Sequence, residues 1–95
     1  GYHNTYIGSE AGYNSDGSNY NTFIGSNAGY TTGTTGIGGQ WNTFVGAESG
    51  FNNDTGEENV FLGFRAGNDN DSGTQNVYLG KGNSLSEILQ IKGRY

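Results

Sequence analysis

The sequence predicts an all-β fold, a parallel β-solenoid or β-roll of about five 17-residue coils. Three observations predict it. One ten-residue phrase recurs as NTYIGSEAGY, NTFIGSNAGY, NTFVGAESGF and NVFLGFRAGN, and a fifth copy, NVYLGKGNSL, begins at Asn76. Each copy opens on a short β-branched and aromatic run ended by Gly, which is strand composition. Each full copy leads into a tail rich in Asn, Asp, Ser, Thr and Gly, which is turn chemistry. A fixed period of this kind marks a repeat array whose units bury surface only against their neighbours.

The units start at Asn4, Asn21, Asn42, Asn59 and Asn76, so the spacings are 17, 21, 17 and 17 residues. The longer step comes from four extra residues within TTGTTGIGGQW, residues 31 to 41. A helix is excluded because no unit carries an i, i+3, i+4, i+7 stripe and Gly recurs every few residues. Residues 1–83 therefore read as one repeat domain and residues 84–95 as a capping or docking segment.

Within a unit, alternation puts Thr22 and Ile24 on one strand face and Asn21 and Phe23 on the other. Stacked coils turn each position into a ladder. The aliphatic ladder Ile7, Ile24, Val45, Leu62 and Leu79 is expected inside the coil. Ala11, Ala28, Ser49 and Ala66 form a second inner ladder on a tighter side. The aromatic ladder Tyr6, Phe23, Phe44, Phe61 and Tyr78 is expected on the opposite strand face. The Asn residues form a fourth ladder, with amides hydrogen-bonding along the axis. Strands apolar on both faces are usually covered on both. A second aromatic column, Tyr13, Tyr30 and Phe51, adds to the apolar excess. Chains packed side by side around the aromatic ladder are therefore expected, most simply as a homotrimer.

The C-terminal stretch NSLSEILQIKGRY leaves the pattern. Ser84 and Glu87 have capping-box spacing. A turn or helical turn followed by a strand from Ile88 to Lys92, stopped at Gly93, is the favoured reading, because terminal units of repeat arrays cap an open end.

Composition narrows the function. Only 31% of residues are hydrophobic and 14% charged, with 19 Gly and no Pro, Cys or Met. The charge of −5 disfavours nucleic acid and anionic membrane surfaces as partners, and no apolar run is long enough to insert in a bilayer. His3 is the sole histidine, so no catalytic triad can be assembled and no enzyme activity is expected. No cofactor is expected, calcium being the one alternative. Asp69-Asn70-Asp71-Ser72-Gly73 has the opening of a calcium loop but lacks its closing Glu, and Asp54 lies in a second acidic turn. Asp54, Asp69 and Asp71 are thus the candidate calcium ligands, weighed against Asx turns that need the same residues for their own hydrogen bonds. For a glycan, Tyr30 and Trp41 are the candidate contacts, since aromatic faces stack on sugars and insertions in repeats often map to a binding face. Ice binding is disfavoured because Thr5, Thr22 and Thr43 share the aliphatic face, expected inside.

NTFIGSNAGY, followed by a TTG- or DTG-containing tail and then NTFVG, resembles the repeats of bacterial and phage surface-fibre proteins. There, NTxxGxxAG units often lie upstream of an endosialidase-type intramolecular chaperone domain. The phrase is more loosely similar to the heads of trimeric autotransporter adhesins, whose units are shorter. The resemblance spans residues 4 to about 80. It implies a trimeric, extracellular or virion-borne fibre segment used for attachment to a cell-surface glycan or protein receptor, and it brings no catalytic residues. Gly1 opens mid-phrase, as in a piece of a longer fibre protein. The rival readings are a self-assembling extracellular filament subunit and a stand-alone carbohydrate-binding module.

Overall fold

The computed structural model describes residues 2–15, 17–33, 38–82 and 88–92. Five short parallel strands stack as a β-solenoid of about four turns: β1 (Thr5–Ile7), β2 (Thr22–Ile24), β3 (Thr43–Val45), β4 (Val60–Leu62) and β5 (Asn76–Gly80). The sixth, β6 (Ile88–Lys92), lies antiparallel on the far edge of β5. This is the strand expected at Ile88 to Lys92; the preceding turn and Gly93 lie outside the described residues.

The register is that of the repeat. Thr5, Thr22, Thr43, Val60 and Val77 align, as do Tyr6, Phe23, Phe44, Phe61 and Tyr78, and Ile7, Ile24, Val45, Leu62 and Leu79. The ladders thus form as the spacing predicts, but two of them exchange faces. Phe23, Phe44 and Phe61 are fully buried inside the single chain, packed with Ala28 and Ala66. The aliphatic ladder, expected inside, lies on the outer face, with Ile7 56% and Leu62 38% exposed. Thr5, Thr22 and Thr43 lie outside with it. The aromatic ladder therefore needs no second chain to cover it.

The reason lies in Asn and Gly. Each Asn that opens a unit sits two residues before the ring and so shares its face. Its side chain donates across the coil interior to the tail of its own unit: Asn4 to the Ser18 carbonyl at 3.0 Å, Asn21 to Gly39 at 2.7 Å, Asn42 to Gly56 at 2.9 Å and Asn59 to Gly73 at 2.8 Å. Its Oδ1 accepts the backbone N–H of the next Asn, as from Asn42 to Asn21 at 2.8 Å and from Asn59 to Asn42 at 3.0 Å. The expected Asn ladder is real, but it runs side chain to backbone rather than amide to amide. Pinning Asn inward carries the ring inward too.

The second Gly of each phrase then receives the ring. Gly12, Gly29, Gly50 and Gly67 hold φ between 59° and 65°, a region Gly enters without steric cost. A Cβ on Gly12 would fall 2.5 Å from Cε2 of Tyr6, and the other three meet Phe23, Phe44 and Phe61 at least as closely. Between the two glycines, the Ala or Ser N–H turns back to the first Gly carbonyl, as from Ala28 to Gly25 at 3.1 Å. One flat ring per coil, stacked 4.7–5.0 Å apart on its neighbours, matches the strand spacing and fills the cross-section.

Candidate functional site

Two further aromatic columns run outside the core. Tyr13, Tyr30 and Phe51 stack with centroids 5.0 and 4.8 Å apart and planes within 8°. His3, Tyr20 and Trp41 stack at 5.1 and 6.0 Å. Residues of this second column precede the unit Asn and sit in the left-handed region, with φ of 60°, 60° and 57°. Bulky side chains rarely adopt that backbone. A regular bond down the axis holds it here: the Tyr20 N–H donates to the Tyr2 carbonyl at 3.0 Å and the Trp41 N–H to Asn19 at 3.2 Å.

Stacking uses up ring faces, so only the end of a column offers an open one. Tyr30 lies between Tyr13 and Phe51, with both faces covered. Its hydroxyl pKa is raised, first by burial and then by the Glu10 carboxylate and Tyr13. Trp41 ends its column and is 51% exposed; the next unit places Glu58 at that position, where it accepts from Gln75 Nε2 at 3.2 Å. Tyr30 and Trp41 therefore belong to different columns. Of the insertion before Trp41, residues 34–37 lie outside the described residues. Gly39 takes in that unit the acceptor role of Ser18, Gly56 and Gly73 elsewhere, so the extra residues leave the rung intact.

Phe51 ends the other column, and there the surface is concave. The next unit has Asn68 in place of a ring. Its amide turns inward and donates to the Glu48 carbonyl at 3.3 Å. A depression of about 240 Å³ remains, lined by Phe51, Glu48, Asn52, Arg65 and Asn68. Glu48 and Arg65 occupy one column, both with φ near 60°, so their side chains meet along the axis: Arg65 Nε lies 3.1 Å from Glu48 Oε1. The guanidinium carbon also sits 5.8 Å from the Phe64 ring centre, within cation–π range. Asn52 Nδ2 donates to Asp69 Oδ1 at 3.4 Å. Sequence reasoning missed Glu48, Phe51, Asn52, Arg65 and Asn68 as a group. The available signal was Asn68, the position where the column's aromatic lapses.

The acidic tails form closed turns. Asn53 Nδ2 donates to the Gly56 carbonyl at 2.9 Å and Asn70 Nδ2 to Gly73 at 3.0 Å, while the Asp71 carbonyl accepts from the Thr55 N–H at 2.9 Å. Asp54 and Asp71 hold equivalent places in successive units and Asp69 lies two residues before Asp71. Among the described residues, no three His, Cys, Asp or Glu side chains come together in a group able to hold a metal ion.

Comparison with family models, curated proteins and solved structures finds no match to this chain.

Proposed function

We propose that the chain is a rigid structural and adhesive segment of an extracellular or virion-borne fibre, in which copies pack side by side as a homotrimer and carry a receptor-binding surface. One observation carries this reading. The outer sheet face presents two continuous columns, Thr5, Thr22, Thr43, Val60, Val77 and Ile7, Ile24, Val45, Leu62, Leu79, in register over five strands. A contiguous apolar face of this kind marks an interaction surface, and strands apolar on both sides are usually covered on both. The repeat phrase supports the fibre reading by its resemblance to surface-fibre repeats. The antiparallel β6 on β5 interrupts the parallel stacking at that end of the sheet, which favours a fibre over a filament grown head to tail by adding identical parallel coils.

Light scattering over a dilution series tests the reading. A constant mass near three chains supports it. An Ile24→Asp variant should then lose that mass while keeping its β circular dichroism, since Ile24 lies outside the coil. A mass that grows with concentration points instead to filament assembly. A stable monomer overturns the fibre interface and leaves the column of Thr5, Thr22 and Thr43 open to water, where thermal hysteresis would check for ice binding.

A further inference from the structure

We infer that the gap over Phe51 is a binding subsite for one pyranose ring of a glycan. The column Tyr13–Tyr30–Phe51 stacks flat rings at 4.8–5.0 Å, and Asn68 withdraws the ring that would come next. A vacancy one ring thick therefore stands on the open face of Phe51. The depression of about 240 Å³ lies just under the lower end of the range for drug-sized ligands, as suits a single monosaccharide unit.

The rim decides between a sugar and a second aromatic ring. Around the vacancy stand a guanidinium and an amide from its own rung, Arg65 and Asn68, and a carboxylate and an amide from the rung of Phe51, Glu48 and Asn52. Carboxylate oxygens accept, guanidinium N–H groups donate and amides do both. A pyranose presents this need: C–H groups on its face for Phe51, and hydroxyls around its edge that donate and accept. A purely aromatic ligand would desolvate the Arg65–Glu48 pair and return no hydrogen bonds. The site deepens the receptor-presenting role proposed above and rests on that reading for its purpose, but binding is measured independently of oligomeric state.

The test uses the whole 95-residue chain, ¹⁵N-labelled, titrated with D-glucose, D-galactose, D-mannose and N-acetyl-D-glucosamine in turn. At least one should shift the amide signals of Glu48, Phe51, Asn52, Arg65 and Asn68. Asn68→Tyr restores the missing ring and should abolish those shifts while raising the melting temperature. Phe51→Ala should weaken binding about tenfold or more, the loss of one aromatic contact. Binding that survives Asn68→Tyr overturns the proposal, as does binding that shifts the Trp41 indole signal and leaves Phe51 unmoved. So does silence with all four sugars, or a response only to p-nitrophenol as an aromatic probe. A monomeric chain that binds a hexose at Phe51 would retain the site and remove the fibre interface; a trimer that binds none would do the reverse.

Discussion

Phe44 and Gly50 share one volume: the Phe44 ring occupies the place a Cβ on Gly50 would need, and Gly50 itself holds φ 59°. Any side chain at Gly50 meets two penalties. The left-handed backbone costs about 1–2 kcal/mol for an L-residue, and overpacking against the ring costs about 1–3 kcal/mol more. Gly50→Ala should therefore lower the urea midpoint steeply with an unchanged m-value. Glu10→Gly is the contrast. Glu10 is exposed with φ 58° and open to substitution, so Gly there should be neutral or stabilise by up to about 1 kcal/mol. If both variants melt like the parent, the ring does not rest on the glycine.

Phe44 is flanked by Phe23 and Phe61 at 4.8 and 4.7 Å. Truncation to Ala removes its contacts and leaves a cavity, at a cost of about 3–5 kcal/mol. Phe44→Asp, which on an interchain ladder would separate folded chains, should instead unfold the coil, because it buries an unpaired carboxylate within one chain. Circular dichroism at several protein concentrations distinguishes the two. A folded Phe44→Asp monomer would contradict the interior placement.

Asn42 links three neighbours. It donates to Gly56, accepts from the Asn59 backbone and donates its own N–H to Asn21. Asn42→Leu keeps the last bond, orphans the buried Asn59 N–H at a cost of about 1–3 kcal/mol, and leaves the Gly56 carbonyl only its bond from Asn53. Asn52, which faces solvent, should tolerate the same change within about 0.5 kcal/mol. Equal melting temperatures for the two variants would deny the internal ladder its role.

Burial raises the pKa of the Tyr78 hydroxyl. The folded chain thus keeps that proton at pH values where the unfolded chain, titrating near 10, has released it. Stability from this group is full below about pH 10 and falls as pH rises through the folded value, because the unfolded state then binds fewer protons. Tyr78→Phe should flatten part of the alkaline decline, with Tyr30 contributing in the same sense. Denaturation curves between pH 8 and 12 should show a shallower loss for the variant; an unchanged profile would assign the decline elsewhere.

The strands and their pairing were legible because the 17-residue period aligns Thr5 with Thr22 and Tyr6 with Phe23 without further information. The facing was not. With Phe23 and Ile24 both apolar, alternation says only that they point apart. What decides the face is the reach of Asn21 to Gly39 and the fit of Phe23 on Gly29, contacts 18 and 6 residues apart that a strand-level reading does not weigh. At the candidate site, Tyr30 and Phe51 were visible as one column. Which ring keeps an open face depends on Asn68 folding inward, and that becomes clear only when the Glu48 carbonyl is placed beside it.

The Asn-to-Asn step has a genetic meaning. Each rung hands the next the same acceptor, Oδ1, and asks of it the same donor, so units are interchangeable at their joints. Excising residues 42–58 would set Asn59 behind Trp41 and leave Asn21 a backbone N–H to accept. Rod length is therefore a copy-number trait: in-frame loss or duplication of 17 codons shortens or lengthens the rod by one rung, about 4.8 Å, without requiring a new contact to be invented.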